Sequence, residues 1–453
     1  MIILPRQTTP YTCGPACLAT VTRLVTDRTV YEAELAQELG ALPGIGVDHD
    51  DLANWAQKND LPVTSEGEGT YDGGVAIANI KNPTSHIGHF VIMLGRRGDI
   101  YRYYCPLFGE VFEKHRDQIL WENMNGELKN WSVSFACDKD YYDSHIEAEQ
   151  HVFILGDELE SLQPEFDTSL LLQDAYKKRG QSVSWSTPDE VYTRARLLHL
   201  SGVPVLKNDI VWMRCDPVNT VHYYELLRRI SHMDAKILNN PKAILTFHDK
   251  LSRLYVDDSN CCTVSTKSDV KKALRHLIVL GFERYIVKKP SNFGGVGVHL
   301  VNNEDEAYDA FHELAEDSGY VIIQGYIETG DRQVDTRVMV TQDAILGSLD
   351  RVAKEGDFLC NLHAGATAQL TGDLSQKRVE QVKKIQNLMK DNDIFMAGID
   401  FLGDILIEIN VTCPSSIRQL NQVTGKIVEE EIIDLAWDYT GTKSFATKLL
   451  KYA

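Results

Sequence analysis

The chain is short of basic residues for a protein that grips phosphate backbones: 46 Lys and Arg stand against 65 Asp and Glu, for a formal charge of −19. Nucleic-acid binding needs clustered cations to displace counterions, so it is disfavoured. No stretch of about 18 uncharged apolar residues occurs, and the opening "MIILPRQTTP" has neither a basic n-region nor a long apolar h-region. Neither a membrane span nor a secretory signal is expected, and the expected location is cytoplasmic. The nine cysteines contain no CxxC pair and no regular spacing, which fits neither a disulfide framework nor a structural zinc site. Internal repeats and low-complexity tracts are also missing, which excludes solenoids and arrays.

What is present is an ordinary soluble composition, 43% hydrophobic and 25% charged over 453 residues. That length exceeds one core and predicts two or three domains. The polar, acidic stretch "DKDYYDSHIEAEQ" reads as a linker. "HVFILGD" after it reads as a buried strand, and "TSLLLQDAYKKRG" as a helix stopped by Gly180. The working division is 1–146, 147–240 and 241–453, with a Rossmann-like strand-then-helix layout in the middle unit.

In "RQTTPYTCGPACLAT", Leu18, Val21 and Val25 follow Cys13 at helical spacing, and Pro15 falls in the first turn. Cys13 at a helix N-terminus would have its thiolate stabilised by unpaired N–H groups, lowering its pKa. Gln7 could lend an amide to an oxyanion hole. "SHIGHFVIMLG" offers His86 and His89 as a base, and "IYRYYC" follows as a second strand after the turn "RRGD". Cys17, one turn into the helix, reads as a packing residue.

These segments, "QTTPYTCGPACL" and "GHFVIMLGRRGDIYRYYCP", resemble the papain-like cysteine peptidases that cut bacteriocin leader peptides. The resemblance covers roughly residues 1–130 and implies Gln7 as oxyanion donor, Cys13 as nucleophile and His89 as base. That family has Asp-Pro on the second strand to orient the histidine, where this chain has Cys105-Pro106. A neutral thiol does not stabilise an imidazolium as a carboxylate does. The unit is then a Cys-His dyad, a site borrowing another acid such as Asp99, or a retired scaffold.

The second half carries "YIVKKPSNFGGVGVHLV", a Gly-rich loop between two strand-like runs. A lysine ending one strand and a glycine loop turning into the next can clamp phosphates. In "GIDFLGDILIEINV", Glu408 and Asn410 lie two apart on one strand face and offer hard oxygens to Mg²⁺. A plain two-residue hairpin at Gly403-Asp404 would pair Asp400 with Ile407 and turn it away from Glu408. If Asp400 also binds metal, a bulge or an odd-length turn is required.

Six segments in order, from "DIVWMRCDP" through "ILNNPKAILTFHDKL" and "IIQGYIETGDRQVDTRVMV" to "GIDFLGDILIEINVTCPSS", resemble the ATP-grasp ligases, glutathione synthetase and the ribosomal-protein glutamate ligase above all. The resemblance spans about 150–430. It implies Lys250 and Lys289 on the ATP phosphates, Gly294, Gly295 and Gly297 in the covering loop, and Gln324, Tyr326 and Ile327 in the hinge that receives adenine. It further implies Asp335 and Arg337 at nucleotide and substrate, Arg351 and Asn361 at the transferred phosphoryl group, and Asp400, Glu408 and Asn410 at Mg²⁺. Where the family has Arg, this chain has Leu359.

The expected fold class is a multidomain α/β and α+β chain: papain-like peptidase fold, Rossmann-like pre-ATP-grasp domain, ATP-grasp fold. The expected chemistry is ATP- and Mg²⁺-dependent joining of a carboxylate to an amine through an acyl phosphate, on an amino acid or peptide. A hydrolase followed by an ATP-grasp unit is also the domain order of glutathionylspermidine synthetase/amidase, an analogy of architecture only. Two readings follow: a bifunctional ligase and thiol hydrolase, or a ligase whose first unit binds a peptide without cutting it. A homo-oligomer is compatible with both.

Overall fold

The computed structural model describes residues 2–26, 28–81, 87–123, 125–194, 197–217, 220–233, 235–247, 250–256, 260–291, 295–316, 318–362 and 365–441. The chain forms two compact units, Met1–Phe153 with Gln181–Ile210, and Ile154–Gly180 with Val211–Ala453. The segment 147–240 is thus apportioned between the two.

In the first unit, α1 (Cys13–Thr26) and α2 (His49–Lys58) accompany a six-stranded sheet built from β1 (Val63–Glu68), β2 (Val75–Lys81), β3 (Gly88–Arg97), β4 (Ile100–Cys105), β5 (Glu110–His115) and β6 (Trp131–Phe135). The strand order is β1-β6-β2-β3-β4-β5. The period of two sorts each strand between two cores. Val75, Ile77, Phe90 and Ile92 pack with Leu18, Val21 and Leu24 of α1. Ala76, Ala78, Val91 and Met93 face the other way, among Tyr101, Tyr103 and Cys105.

The stretch 138–150 corrects the linker expectation, because its few apolar residues are anchors. Tyr141 is buried and donates its hydroxyl to the Leu24 carbonyl at 3.0 Å, and Ile146–Ala148 pairs in parallel with Ile2–Leu4. His151–Gly156 is a fully buried strand, as its sequence predicts. The helix Thr168–Lys178 begins at Asp167, whose carboxylate accepts from Leu170 N at 2.7 Å, and ends before Gly180 at φ +73°.

The second unit contains two antiparallel sheets. One has β7 (Cys261–Val264), β8 (Tyr285–Lys288), β9 (Val298–Val301) and β10 (Val321–Gly325) in the order β7-β10-β8-β9. α3 (Lys267–Val279) and α4 (Glu304–Leu314) cover one of its faces, packing Leu274, Leu277, Ala310 and Phe311 onto Tyr285, Val287, Val321 and Ile323. The opposite face is left to Ile286, Lys288 and Gln324.

The other sheet has β11 (Val334–Thr341), β12 (Ile345–Val352), β13 (Thr367–Leu370), β14 (Met396–Leu402) and β15 (Ile405–Asn410) in the order β13-β12-β11-β14-β15. α5 (Gln376–Asp391) starts at Ser375, whose hydroxyl accepts from Arg378 N at 3.2 Å. It lays Val382, Ile385 and Met389 against Val338, Val340, Phe401, Leu406 and Ile409. Each such side chain buried contributes about 1.5–3 kcal/mol. The polar residues of the same strands are thereby turned to the other face.

Candidate functional site

The polar face of the second unit lines a cavity of about 220 Å³. Along β11, Asp335 and Arg337 point to it while Val338 and Val340 point to the core. Cross-strand pairing puts Arg351 opposite Asp335, and Asp400 opposite Arg337. The result is a buried ion network. Arg337 Nε and Nη2 bond Asp400 Oδ1 and Oδ2, both at 2.7 Å; Arg351 bonds Asp335 at 2.6 and 2.5 Å and reaches Asp400 Oδ2 at 2.9 Å. Burial opposes ionisation of Asp400, but the two guanidinium groups outweigh it and hold its pKa at about 2. Burial pushes Asp335 up to about 6, in spite of Arg351.

The hairpin of β14 and β15 contains the kind of irregularity required if Asp400 is to share a face with Glu408. Leu402 pairs with Ile405 and Phe401 with Leu406, then the register slips, so that Asp400 pairs with Glu408 rather than with Ile407. The bulge returns Glu408 and Asn410 to the cavity wall with Asp400. Asn410 satisfies both amide groups when its oxygen accepts from Arg337 Nη2 at 2.9 Å and its nitrogen donates to Glu408 Oε1 at 3.2 Å. Lys250 Nζ lies 3.9 Å from Glu408 Oε1.

On the first sheet, the lysine that lines the cavity is Lys288 and not Lys289. Strand parity explains this, since Tyr285 and Val287 face the helices and Ile286 and Lys288 face the cavity. Lys288 Nζ donates to Gln324 Oε1 at 2.9 Å, and burial lowers its pKa to about 8. Gln324, Tyr326 and Ile327 line the same wall, with the Arg284 guanidinium 4.4 Å from the Tyr326 ring centre.

Gly295 lines the cavity at φ +84°, and a Cβ there would meet Asn361 Oδ1 at 3.0 Å. The loop therefore leans on Asn361 and Leu359, which also line the cavity. Gly297 does not line it, and its carbonyl accepts from Lys289 N at 3.0 Å. Gly294 and His86 lie outside the described residues. Asp400 lines the cavity beside Glu408 and Asn410, and both of its oxygens accept from arginines. Among the described residues no three His, Cys, Asp or Glu converge to hold a metal. Residues that the motifs did not single out also line the cavity, including Phe166, Asp216 and Gln419. The charged Arg214 and Asp216 at the end of the strand-like run "IVWMRCDP" are the available signal.

In the first unit, Cys13 is the first residue of α1 and His89 the second of β3. The helix begins where Thr12 O accepts from Ala16 N at 3.0 Å. Glu32 secures the preceding stretch by accepting from Thr8 N at 2.9 and 3.0 Å, and burial pushes it up to about 7. The Cys13 thiol receives N–H groups, Phe90's among them, yet burial outweighs them and raises its pKa. This reverses the lowering predicted from the helix start. Gln7 is buried, and its Nε2 donates to Thr9 O at 2.8 Å.

His89 Nε2 lies 3.2 Å from Cys105 Sγ, so Cys105 occupies the orienting position. Burial drives His89 down to about 4 and Cys105 up to about 12. Both are neutral at pH 7. Asp99 is no substitute, since it follows Arg97 at the other end of β3, roughly 30 Å along a strand at about 3.3 Å per residue.

Residues 250–425 match the family model described as prokaryotic glutathione synthetase, ATP-grasp domain. The glutathione synthetase of Gloeobacter violaceus is 27% identical over 324 residues, spanning 64% of this chain and 97% of that one. The glutathione synthetase of Anaplasma centrale is 29% identical over 295 residues, 60% of this chain and 92% of that one. Among solved structures, D-alanyl-alanine synthetase A of Vibrio cholerae superposes with a TM-score of 0.47 at 14% identity, covering 65% of this chain and 99% of that one. The second unit thus carries an ATP-grasp domain similar to that of glutathione synthetases. No helix among the described residues is long and apolar enough to cross a membrane.

Proposed function

We propose that the chain is an ATP-dependent carboxylate-amine ligase that forms an amide or peptide bond on an amino acid or peptide. The supporting observation is the convergence of Lys250, Lys288, Arg351, Asn361, Glu408 and Asn410 on one cavity within a segment that matches an ATP-grasp domain. In this reading the substrate carboxylate takes the γ-phosphoryl group of ATP and releases ADP. The amine nitrogen then bonds the acyl carbon as the carbon–oxygen bond to phosphate breaks, and the amine proton leaves to solvent.

Lys250 and Lys288 supply cationic charge to the phosphates, and Gln324 fixes the Lys288 ammonium. Arg351, anchored on Asp335 and Asp400, presents a guanidinium that pays no reorganisation cost during transfer. Glu408 and Asn410 fit Mg²⁺, because both bring oxygens to the cavity face, where Glu408 Oε1 accepts from the Asn410 amide at 3.2 Å and lies 3.9 Å from Lys250 Nζ. When bound, the ion would neutralise phosphate charge; Asp400 would support it from behind as the arginine counter-charge. The Gly295 loop closes on Asn361, and Tyr326 and Ile327 form the hinge wall for adenine.

For the remainder, we favour a Rossmann-like pre-ATP-grasp role for the strand-then-helix segment after residue 150, and a papain-like fold for the first unit. The neutral pairing of His89 with Cys105 favours peptide binding over peptide cleavage there. The bifunctional hydrolase reading requires a thiolate that this environment disfavours. ADP release that depends on Mg²⁺ and an acceptor amine, and is abolished by Glu408→Gln, tests the ligase assignment. Activity surviving that change overturns the metal assignment.

A further inference from the structure

Part of the cavity wall is left unused by the phosphate and metal assignments: Phe166, Asp216, residues 412–416 and Gln419. We propose that this wall is the acceptor subsite and that it takes the amine as its ammonium, with Asp216 as counter-charge and Gln419 Oε1 as hydrogen-bond acceptor. One ammonium proton passes to solvent to free the nitrogen lone pair before attack, and a second leaves as the amide forms. The assignment rests on the ligase reading above.

The wall combines a carboxylate and an unpartnered buried acceptor with the hydroxyls of Thr412, Ser415 and Ser416, and carries no free cation among these lining residues. Gln419 Nε2 donates to Glu165 O at 2.7 Å, which fixes the orientation of the amide. Its Oε1 is then buried with no partner, on a side chain 6% exposed that lines the cavity. A buried acceptor left unmade is costly until a donor arrives. Asp216 lines the cavity, and its backbone N–H donates to the Asp157 carboxylate at 3.1 and 3.3 Å.

The neighbouring cation is committed elsewhere. Arg214 Nε donates to Ser169 Oγ at 3.1 Å and Nη2 to Pro414 O at 2.9 Å. The Cys413 thiol donates to Arg214 O at 3.1 Å, and burial raises it far above its ordinary value, so it is neutral and supplies no charge. A carboxylate beside an orphan acceptor calls for a group that is both cationic and rich in N–H donors, which an ammonium satisfies and a carboxylate or hydroxyl does not. Phe166 and Pro414 add apolar surface, which suits an amine with a carbon substituent over free ammonia. Burial and the Asp157 charge push Asp216 up to about 7, a state that a bound cation would reverse.

The test is ADP release by the full-length protein with ATP, Mg²⁺, a mixture of carboxylic acids and either the amino acids and putrescine, or hydroxylamine, which is uncharged at neutral pH. Asp216→Asn is expected to raise the KM of ammonium-bearing acceptors at least tenfold, with a smaller rise for hydroxylamine and a KM of ATP within twofold. Gln419→Leu should act in the same direction, and Asp216→Glu should recover part of the loss. If the native protein is active and Asp216→Asn leaves the amine KM unchanged, or raises the KM of ATP and hydroxylamine equally, the subsite is wrong while the ligase stands. If the native protein releases no ADP with any acceptor, the ligase reading itself falls.

Discussion

The imidazole Nε2 of His89 lies 3.2 Å from the Cys105 sulfur, a place where a carboxylate would hold an imidazolium. With a thiol there, burial acts unopposed. The histidine stays neutral, and the nearby Cys13 keeps its proton.

Changing Cys105→Asp should therefore alter the chemistry of a different cysteine. The new carboxylate would raise the His89 pKa from about 4 and, through the imidazolium, lower that of Cys13. Alkylation of Cys13 by iodoacetamide, followed by peptide mass spectrometry across pH, should show an apparent midpoint above about 8.5 in the native chain and at least one unit lower in the variant. Identical midpoints would mean that Cys105 does not control this site.

Lys288 predicts a pH limit on nucleotide binding. Its folded pKa is depressed to about 8, so below that pH the ammonium is present and above it the charge is lost. Nucleotide affinity measured by calorimetry should weaken as pH rises through 8, with proton uptake on binding above it. Lys288→Arg should flatten the profile, because guanidinium does not titrate there. A native profile flat from pH 7 to 9.5 would count against Lys288 as the phosphate contact.

Asp400 carries two arginines. Asp400→Ala would leave Arg337 and Arg351 buried with an excess of positive charge, and removing one partner of a buried pair costs about 3–5 kcal/mol. Urea unfolding of the variant should show a loss of that size. A loss under 1 kcal/mol would show that the network relaxes without strain.

Gly295→Ala should impair nucleotide use more than stability. A methyl at φ +84° would press on Asn361 Oδ1 at 3.0 Å, costing roughly 1 kcal/mol in a strained backbone. The expected readout is a several-fold rise in the KM of ATP at a nearly unchanged melting temperature. A normal KM would separate this loop from the nucleotide.

The elements legible in the sequence were those set by a period. The strand Gly88–Arg97, the helix Gln376–Asp391 and the Gly180 stop follow from alternation, amphipathicity and glycine. Even the hairpin irregularity was legible as a condition, because face parity leaves no other way to bring Asp400 beside Glu408. Electrostatics were less legible. The helix start at Cys13 is local and visible, whereas the burial that raises its thiol comes from residues far along the chain, such as Phe90 and Leu52. The motif points to Lys289, whereas the alternation of Tyr285 and Val287 turns Lys288 toward the cavity. Asp216 and Gln419 belong to segments about 200 residues apart, and only the fold places them on one cavity.

The single unpaired residue at Ile407 makes this hairpin behave like a reading frame. Excising Ile407 would leave a regular ladder in which Asp400 still faces Glu408 and Asn410 keeps its side. Excising Ile409, two positions on, would spare Glu408 but rotate Asn410 into the apolar core. Neighbouring one-residue deletions in "ILIEIN" thus have opposite consequences, and the strand tolerates loss at the position where its count is already odd.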